Sequence, residues 1–221
     1  MKVELISYTQ DTMNRNLLEQ IAFVARVSNP SNQNNHETAE KLVNYLIKHK
    51  HWSPLEMVDV TLEIETTRDI ARQILRHRSF VFQEFSQRYA DPTQDLGFVT
   101  RETRLQDEKN RQNSIDDLNS EQVGSYYRRI SSLFEESNHL YQEMVSNGVA
   151  KECARSILPL ASPTRLYMQG SIRSWITYIS LREKHGSQME HTQIAKEVKE
   201  IFCEQLPTIA EAMGGMQEWE I

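Results

Sequence analysis

Residues 76–89 bring together side chains that could bind an anion. The run RHRSFVFQEFSQRY contains three arginines, one histidine, one glutamate, two serines and a tyrosine. A guanidinium suits phosphate because it donates two parallel hydrogen bonds and stays charged. Two or three such bonds, each worth about 1.5–3 kcal/mol, can hold a nucleotide monophosphate. Phe80 and Phe82 could anchor the run as a strand or extended turn. The residues alone leave a second interpretation open, a surface salt-bridge cluster around Glu84.

Elements on the N-terminal side of this run would position it. Alternating polarity predicts strands, and apolar residues at helical spacing predict helices. The predicted elements are strands over 2–8 and 58–64 and helices over 14–27, 37–48 and 68–75. The last helix places Arg68, Arg72 and Arg76 on one face, where solvent or an anion must separate their charges.

The chain after the run is predicted to be mainly helical. Residues 91–122 have few apolar side chains, and a loop of this length is often functional when ordered. We predict helices over 123–147, 151–158, 171–182 and 192–205, a strand over 165–169, and a short helix that opens at Pro207. The fold class is therefore mixed α/β or α+β, a single helix-dominated domain over 1–221 with a small central sheet of at least three strands.

Composition excludes several classes of function. The net charge of −6 argues against nucleic-acid or anionic-membrane binding, which needs a broad basic field. No signal peptide or membrane-spanning run is visible, so we expect a cytoplasmic protein, in the host cytoplasm if the chain is viral. Cys153 and Cys203 lack disulfide or zinc spacing and are expected to be reduced thiols.

The apolar content is low for a globular chain. The hydrophobic fraction is 38% and the mean hydropathy is −0.61. Either a large helical surface is solvated, or other subunits complete the core. We favour the second interpretation because the polar residues cluster where a site would be.

The remaining histidines do not predict a metal site. His185 and His191 are six residues apart, which is not the i, i+4 spacing of a helical metal pair. His49 and His51 could be ligands only with distant partners. We expect a structural or surface role for all four residues and no bound metal.

The basic run resembles the signature of the flavin-dependent thymidylate synthases, RHRxxSxNExSxRY. The positions in register are Arg76, His77, Arg78, Glu84, Ser86, Arg88 and Tyr89. Two positions depart from the pattern, with Val81 where serine is usual and Gln83 where asparagine is usual. Gln83 keeps the amide on a longer arm, whereas Val81 removes a hydroxyl that could contact the flavin.

Further matches occur in the family's order along most of the chain. They are HWSPLE at 51–56, Gln73 before Arg76, NRQNS at 110–114, CARSILP at 153–159, and Ser171-x-Arg173, Leu181-Arg182 and Gln188-x-Glu190. Ser171 replaces the usual asparagine. A single RHR is a weak signal, but six elements at compatible spacing make the resemblance specific.

The resemblance implies the family's fold and a defined reaction. Members make dTMP from dUMP, with 5,10-methylenetetrahydrofolate as carbon donor and NADPH reducing a bound FAD. They are homotetramers whose active sites form between subunits. They use no cysteine nucleophile, and the flavin supplies the hydride.

The resemblance also implies roles for individual residues. Those expected to surround dUMP are Gln73, Arg76, Glu84, Phe85, Ser86, Gln87, Arg88, Arg155 and Arg182. Those expected to contact FAD are Ser53, Arg76, His77, Arg78, Glu84, Ser171, Arg173 and Thr177. Arg182 is expected to be catalytic, since a fixed guanidinium beside the uracil ring stabilises negative charge at N3. Ser86 is expected to contact substrate and not to act as a nucleophile.

Two other hypotheses remain open from the sequence. A relative that binds nucleotide without turnover is suggested by Val81, Gln83 and Ser171. A small nucleic-acid-binding module could use Arg68 and Arg72 together with the motif arginines, although the acidic pI of about 5.7 argues against it.

Overall fold

The computed structural model describes residues 1–184 and 186–221, and its centre is a four-stranded antiparallel sheet in the order β1–β2–β6–β3. Its strands are β1 Lys2–Tyr8, β2 Asp59–Thr67, β3 Val81–Glu84 and β6 Pro163–Ser171. A separate two-stranded ribbon is formed by β4 Leu105–Gln106 and β5 Ser114–Ile115. The helix-dominated α/β class with a small sheet is confirmed.

Strand β2 shows why the sheet has one buried face. Val60, Leu62 and Ile64 are buried, and the residues between them are partly exposed. Because side chains alternate across a strand, this pattern directs one face to the core. β2 pairs along its whole length with β6, and Val60 lies opposite Gly170.

Nine α-helices lie along the described residues. They are α1 Leu17–Ala25, α2 Ala39–Lys48, α3 Arg68–Ile74, α4 Pro92–Asp95, α5 Ser120–Ser146, α6 Lys151–Ala154, α7 Ile172–Arg182, α8 Met189–Gln205 and α9 Pro207–Ala212. Short 3₁₀ turns cover Pro30–Asn32, Ser53–Met57 and Arg155–Ile157.

Helices α7 and α8 supply three of the five largest fully buried side chains. Trp175, Tyr178 and Phe202 are almost fully buried and pack together with ring centroids 5.7 to 6.2 Å apart. The Trp175 indole Nε1 donates to the Val60 carbonyl at 3.0 Å, so the helix is fixed to the sheet by a buried hydrogen bond. This packing places the C-terminus of α7 next to the turn that follows α3.

Several predicted boundaries differ from the observed ones. The helix predicted over 123–147 starts three residues earlier because the Asn119 side chain accepts from the Gln122 amide as an N-cap. The helix predicted over 14–27 is shorter, because Asn16 and Glu19 form a capping box that sets its start. The strand predicted over 165–169 extends to nine residues, since its whole length pairs with β2.

Two predicted segments are subdivided. The predicted helix over 151–158 is α6 followed by a 3₁₀ turn. The predicted loop over 91–122 contains α4 and the β4–β5 ribbon, which short-range turns hold together. The helix predicted over 192–205 begins at Met189.

Residues 91–158, which we call the arm, contribute little to the central core. Only Phe134 and Tyr141 are buried on α5, although the helix has 27 residues. It packs on its own neighbours: Phe134 lies 5.2 Å from Phe98, and the Ser137 hydroxyl donates to the Ile157 carbonyl at 3.0 Å. Large apolar side chains on α5 stay exposed, namely Tyr126, Tyr127, Leu133 and Leu140.

Within 1–184 and 186–221, no helix combines the length and the apolar character that crossing a membrane requires.

Candidate functional site

The turn over 75–80 carries the basic motif between α3 and β3, and Phe80 anchors it. The Phe80 ring is buried, with its centroid 4.7 Å from that of Trp175 and 6.0 Å from that of Tyr178. Gly170 on β6 leaves room for this ring, since a Cβ there would lie 2.5 Å from a Phe80 ring carbon. The predicted anchoring role of Phe80 is therefore confirmed.

Arg182 and His77 meet at the end of α7. The Arg182 Nε donates to His77 Nε2 at 2.9 Å. Burial, and then the positive charge of Arg182, lower the pKa of His77 to about 4, so the imidazole is neutral at neutral pH. A neutral ring that accepts at Nε2 carries its proton on Nδ1. The pair therefore presents an oriented guanidinium and a defined histidine tautomer.

The Arg182 guanidinium itself lies in an unusual electrostatic environment. Burial and the nearby charge of Arg76 lower its pKa, against an opposing effect of Tyr178. Among the described residues Arg182 forms no ion pair, and its terminal nitrogens make no hydrogen bond. Exposed Arg76 and half-buried Arg182 are close enough for their charges to interact, and neither has a carboxylate partner among the described residues. Such a pair favours an anionic or acceptor-rich ligand.

Gln73 is held beside this pair by a buried relay. Its side-chain oxygen lies 3.4 Å from His191 Nδ1, and His191 Nε2 lies 3.1 Å from the Tyr178 hydroxyl. Burial and the charges of Arg182 and His77 lower the pKa of His191 to about 3. His191 is thus a neutral core histidine, which agrees with the structural role predicted for it.

The relay continues to Arg104, the residue of the arm that directly precedes β4. Gln73 donates to Gln188 at 2.7 Å, and Gln188 donates to Glu190 at 2.8 Å. Arg104 then pairs with Glu190 at 2.6 Å, and both side chains are only 9% exposed. Burial raises the pKa of Glu190, but the Arg104 bond and its other partners outweigh burial and hold it below its usual range. The loop is therefore ordered against α8.

A second group of predicted residues lies at the far end of β3. Glu84 accepts from the Thr164 hydroxyl at 3.0 Å and lies 3.4 Å from Arg68. The segment 84–89 then runs beside α6, where Lys151 donates to the Tyr89 carbonyl at 3.1 Å.

Within that second group the substrate candidates differ in exposure. Arg88 is exposed and lies 3.5 Å from Glu152, while Phe85, Ser86 and Arg155 are half-buried. Gln87 is buried, and its amide nitrogen has no partner among the described residues. A buried donor left unpaired costs about 1–3 kcal/mol, which a ligand oxygen could offset.

A third group lies along the exposed side of α7. Arg173 and Thr177 are exposed one helical turn apart, and Arg173 forms an ion pair with Glu56 in the 3₁₀ turn that begins at Ser53. Ser171 caps α7, its hydroxyl accepting from the Ser174 amide at 3.3 Å. This cap uses the hydroxyl at the position where the family pattern has asparagine.

The salt-bridge interpretation of the basic run is not what the structure shows. Glu84 pairs with Arg68, and Arg88 pairs with Glu152. Arg76 and Arg78 form no ion pair with any described residue. The three arginines predicted on one face of α3, namely Arg68, Arg72 and Arg76, also differ from one another. Among the described residues, only Arg68 has a carboxylate partner.

Sequence reasoning missed several residues that build the site. Gly170, Tyr178 and Arg104 were not singled out, and His191 was assigned only a structural or surface role. Gly170 and Tyr178 act through packing, which no local pattern reveals. Glu190 had a signal, because it closes the Gln188-x-Glu190 element.

No group of three or more histidine, cysteine or acidic side chains suited to a metal occurs within 1–184 and 186–221. His49 and His51 are exposed and lie beside Tyr45, with ring centroids 4.2 and 6.0 Å away. His185 lies outside the described residues.

Known proteins resemble this chain over most of its length. The family model described as "Thymidylate synthase complementing protein" covers residues 4–208. A probable flavin-dependent thymidylate synthase of Paramecium bursaria Chlorella virus 1 is 47% identical over 96% of this chain and 99% of its own. The flavin-dependent thymidylate synthase of Synechocystis sp. is 50% identical over 90% of this chain and 88% of its own.

A solved structure shares the fold. The UMP/dUMP methylase PolB of Streptomyces cacaoi, bound with 5-Br dUMP, superposes with a TM-score of 0.78 at 22% identity and covers 98% of this chain and 96% of its own. At that identity the likeness concerns the fold alone. The family model and the two relatives show the family: the chain belongs to the flavin-dependent thymidylate synthases.

Proposed function

We propose that this chain is an active, FAD-dependent thymidylate synthase that methylates dUMP to dTMP. 5,10-Methylenetetrahydrofolate donates the carbon, and NADPH reduces the flavin. The observation that carries the proposal is the pair of Arg182 and neutral His77, beside the unpaired Arg76. The reaction takes place in the cytoplasm, or in the host cytoplasm if the chain is viral.

Arg182 is the proposed catalytic residue. Its Nε is committed to His77, so the terminal nitrogens stay free to donate to a uracil edge. Because the guanidinium is half-buried, its charge is screened less by water than on an open surface. A fixed charge there favours ionisation of N3 and stabilises the negative charge that develops on the ring.

The other dUMP contacts are proposed from the two groups at the ends of β3. Gln73 and Arg76 lie at one end, and the residues at the other end are Glu84, Phe85, Ser86, Gln87, Arg88 and Arg155. No histidine lies within hydrogen-bond reach of Ser86 among the described residues, which supports its role as a substrate contact. The unpaired Gln87 amide supports a ligand at that end.

The residues on α7 and the basic turn fit a flavin dinucleotide. FAD is extended and anionic at its pyrophosphate, and it needs spaced donors with guanidinium groups among them. From Arg173 to Arg182 the helix rises about 14 Å, and Thr177 lies within this stretch. Ser53 and Ser171 lie near its start, and the basic turn with Arg76, His77 and Arg78 lies near its end. Glu84, the remaining candidate, lies at the far end of β3. Arg173 must exchange its Glu56 partner for a ligand oxygen. Bound there, the flavin supplies the hydride.

The division of the candidates supports an assembly in which chains share each site. β3 has four residues, so its first and last residues are about 10 Å apart. The exposed apolar side chains of the arm offer a surface for that assembly. We propose a homotetramer with active sites at subunit interfaces. The separation of the candidates at the two ends of β3 and the exposed apolar side chains of the arm both support that proposal.

Purification tests the proposal directly. We expect a yellow protein with a flavin absorbance band, and NADPH oxidation that depends on dUMP. A colourless protein that takes up no added FAD would overturn the proposal. Release of the C5 hydrogen of dUMP in the presence of folate separates the enzyme from a relative that binds nucleotide without turnover.

The Arg182→Ala variant tests the catalytic assignment. We expect bound flavin to remain and dTMP formation to fall by about 100-fold or more, as when an oxyanion donor is removed. Lys41→Ala, an exposed charge on α2, serves as the matched loss of a cation and should keep its activity. Unchanged turnover in Arg182→Ala would remove that residue from the catalytic role.

A further inference from the structure

Glu183, the residue after Arg182, has a buried carboxylate in an unusual position. It caps the C-terminus of α7, and its side chain is 1% exposed. A carboxylate at the C-terminal end of a helix meets the negative end of the helix dipole, and burial adds a desolvation cost. Such a group needs strong partners, and two described residues supply them.

Lys199 on α8 is the first partner. Its ammonium forms a buried ion pair with the Glu183 carboxylate and is itself 6% exposed. The same ammonium donates to the Gln217 carbonyl at 3.0 Å. One lysine thus joins the end of α7 to the segment that follows α9.

Trp219 is the second partner. Its backbone amide donates to the other oxygen of Glu183. The indole is fully buried, lies 6.3 Å from the Phe202 ring, and donates to the Gly215 carbonyl at 2.8 Å. Gly214 and Gly215 allow the chain to reverse its direction after α9, since both have positive φ, 108° and 61°.

We propose that residues 214–219, with Glu183 and Lys199, form a clamp that positions Arg182 for catalysis. A buried ion pair is weak evidence for stability, because apolar side chains of the same volume are often as good. The ion pair does fix the position of Glu183, which directly follows Arg182. The Arg182 guanidinium then meets His77 without relying on a ligand.

The C-terminal part of the clamp, residues 214–219, lies beyond the part of the chain that the family model covers, which ends at residue 208. Its effect on turnover rests on the proposed function, whereas its effect on the Arg182 side chain does not. Trp219 and Glu183 are positioning residues, since both side chains are buried and Glu183 is bonded to Lys199 and to the Trp219 backbone. Misplacing a catalytic group by about 1 Å can reduce turnover about 100-fold.

The test compares Trp219→Ala with Ile21→Ala in the full-length holoenzyme. Both remove a fully buried side chain, and Ile21 lies on α1, away from the end of α7. We expect Trp219→Ala to lower kcat about 10- to 100-fold with the KM for dUMP within twofold. Ile21→Ala should keep kcat within twofold at a comparable loss of thermal midpoint. Trp219→Phe keeps an aromatic side chain in the buried position, although it loses the indole donor to Gly215, and should restore most of kcat.

A second readout follows the Arg182 Nε proton by NMR, assigned by its loss in Arg182→Lys. Its hydrogen bond to His77 protects it from exchange with water, and Trp219→Ala should speed that exchange at least tenfold. This readout needs no turnover. A wild-type protein that makes no dTMP, together with a Trp219→Ala variant that still shows the faster exchange, would contradict the proposed function and support the clamp.

A double variant, Glu183→Met with Lys199→Met, covers the case in which Trp219→Ala does not fold. It removes both buried charges together, so the thermal midpoint should stay near that of the wild type. We expect the same loss of kcat and of proton protection. Wild-type kcat and protection in the folded variants would overturn the clamp.

Discussion

Helices α7 and α5 use their residues in opposite ways. α7 buries six of its 11 residues, among them Trp175 and Tyr178, against the sheet and α8. α5 buries two of its 27 residues and leaves Leu133 and Leu140 exposed. One helix is completed by its own chain, and the other is packed only on short neighbouring segments.

This difference explains the low apolar content of the sequence. The central core is well filled, so the deficit does not reflect a poor interior. It arises from the arm, where a helix about 40 Å long has a mostly polar surface with a few large apolar side chains. The proposed site residues follow the same division: Arg182 belongs to the filled half, and Arg155 belongs to the arm.

The largest expected effect is in the sheet. Ile64 on β2 is fully buried, and Ile64→Ala should lower the free energy of unfolding by roughly 2–5 kcal/mol through lost burial and a cavity. Leu133→Ala on the exposed arm surface is the matched truncation and should change it by no more than about 0.5 kcal/mol. Urea denaturation of the dissociated chains measures both. Equal losses of unfolding free energy in the two variants would contradict the difference in packing between the sheet and the arm.

Gly170→Ala should have the next largest effect. The added methyl group meets the Phe80 ring at 2.5 Å, and overpacking of this kind costs about 1–3 kcal/mol. Because Phe80 anchors the basic turn, flavin binding should weaken as well. Gly124→Ala on α5 is the control, since its nearest neighbour is an arginine side chain at 3.4 Å. A Gly170→Ala protein with normal stability and flavin content would contradict the anchoring role.

Acid should destabilise the core through its histidines. The His191 ring has a pKa of about 3 in the fold and near 6.5 when unfolded, so between these values only the unfolded chain takes up the proton. Stability is therefore full above pH 6.5 and falls as the pH decreases, by at most about 1.4 kcal/mol per pH unit. Urea midpoints from pH 7.5 to 5 measure the slope.

Two variants assign that slope to the core. His191→Gln should reduce it and leave the part that His77, with its pKa of about 4, contributes. His139→Gln, at an exposed position on α5, should leave it unchanged. A slope that is independent of His191 would place the acid sensitivity elsewhere.

The smallest effect on the chain itself is expected from Leu133→Asp. The side chain is 59% exposed, so folding should change by no more than about 0.5 kcal/mol. If the arm joins subunits, a buried unpaired carboxylate should dissociate the assembly. Sedimentation velocity measures its size, with the exposed Lys41→Asp on α2 as control. An assembly of unchanged size would exclude Leu133 from the interface.

Local patterns were sufficient for much of the fold. The alternation of Val60, Leu62 and Ile64 predicted β2, and helical spacing predicted the main helices. The start of α5 was missed because its first turn is polar and only Asn119 marks it. The ends of β6 were missed because Pro163 and Gly170 are poor strand residues in isolation, and tertiary pairing decides their conformation.

The site was predictable only in part. Resemblance singled out Arg76, His77 and Arg182, and the structure brings these three together. The contact of Gln73 with His191 joins residues 118 positions apart, and no local pattern encodes it. The same holds for Trp219 and Glu183, whose partnership depends on the chain reversing after α9.

Gly170 has a consequence for mutational tolerance. Every other amino acid carries the Cβ that would strike the Phe80 ring, so the position accepts no substitution without moving the basic turn. In a saturation scan scored by growth on dTMP synthesis, Gly170 should therefore be as intolerant as a ligand contact. A position that touches no substrate would appear in such a map as part of the active site, and only its location behind Phe80 tells the two apart.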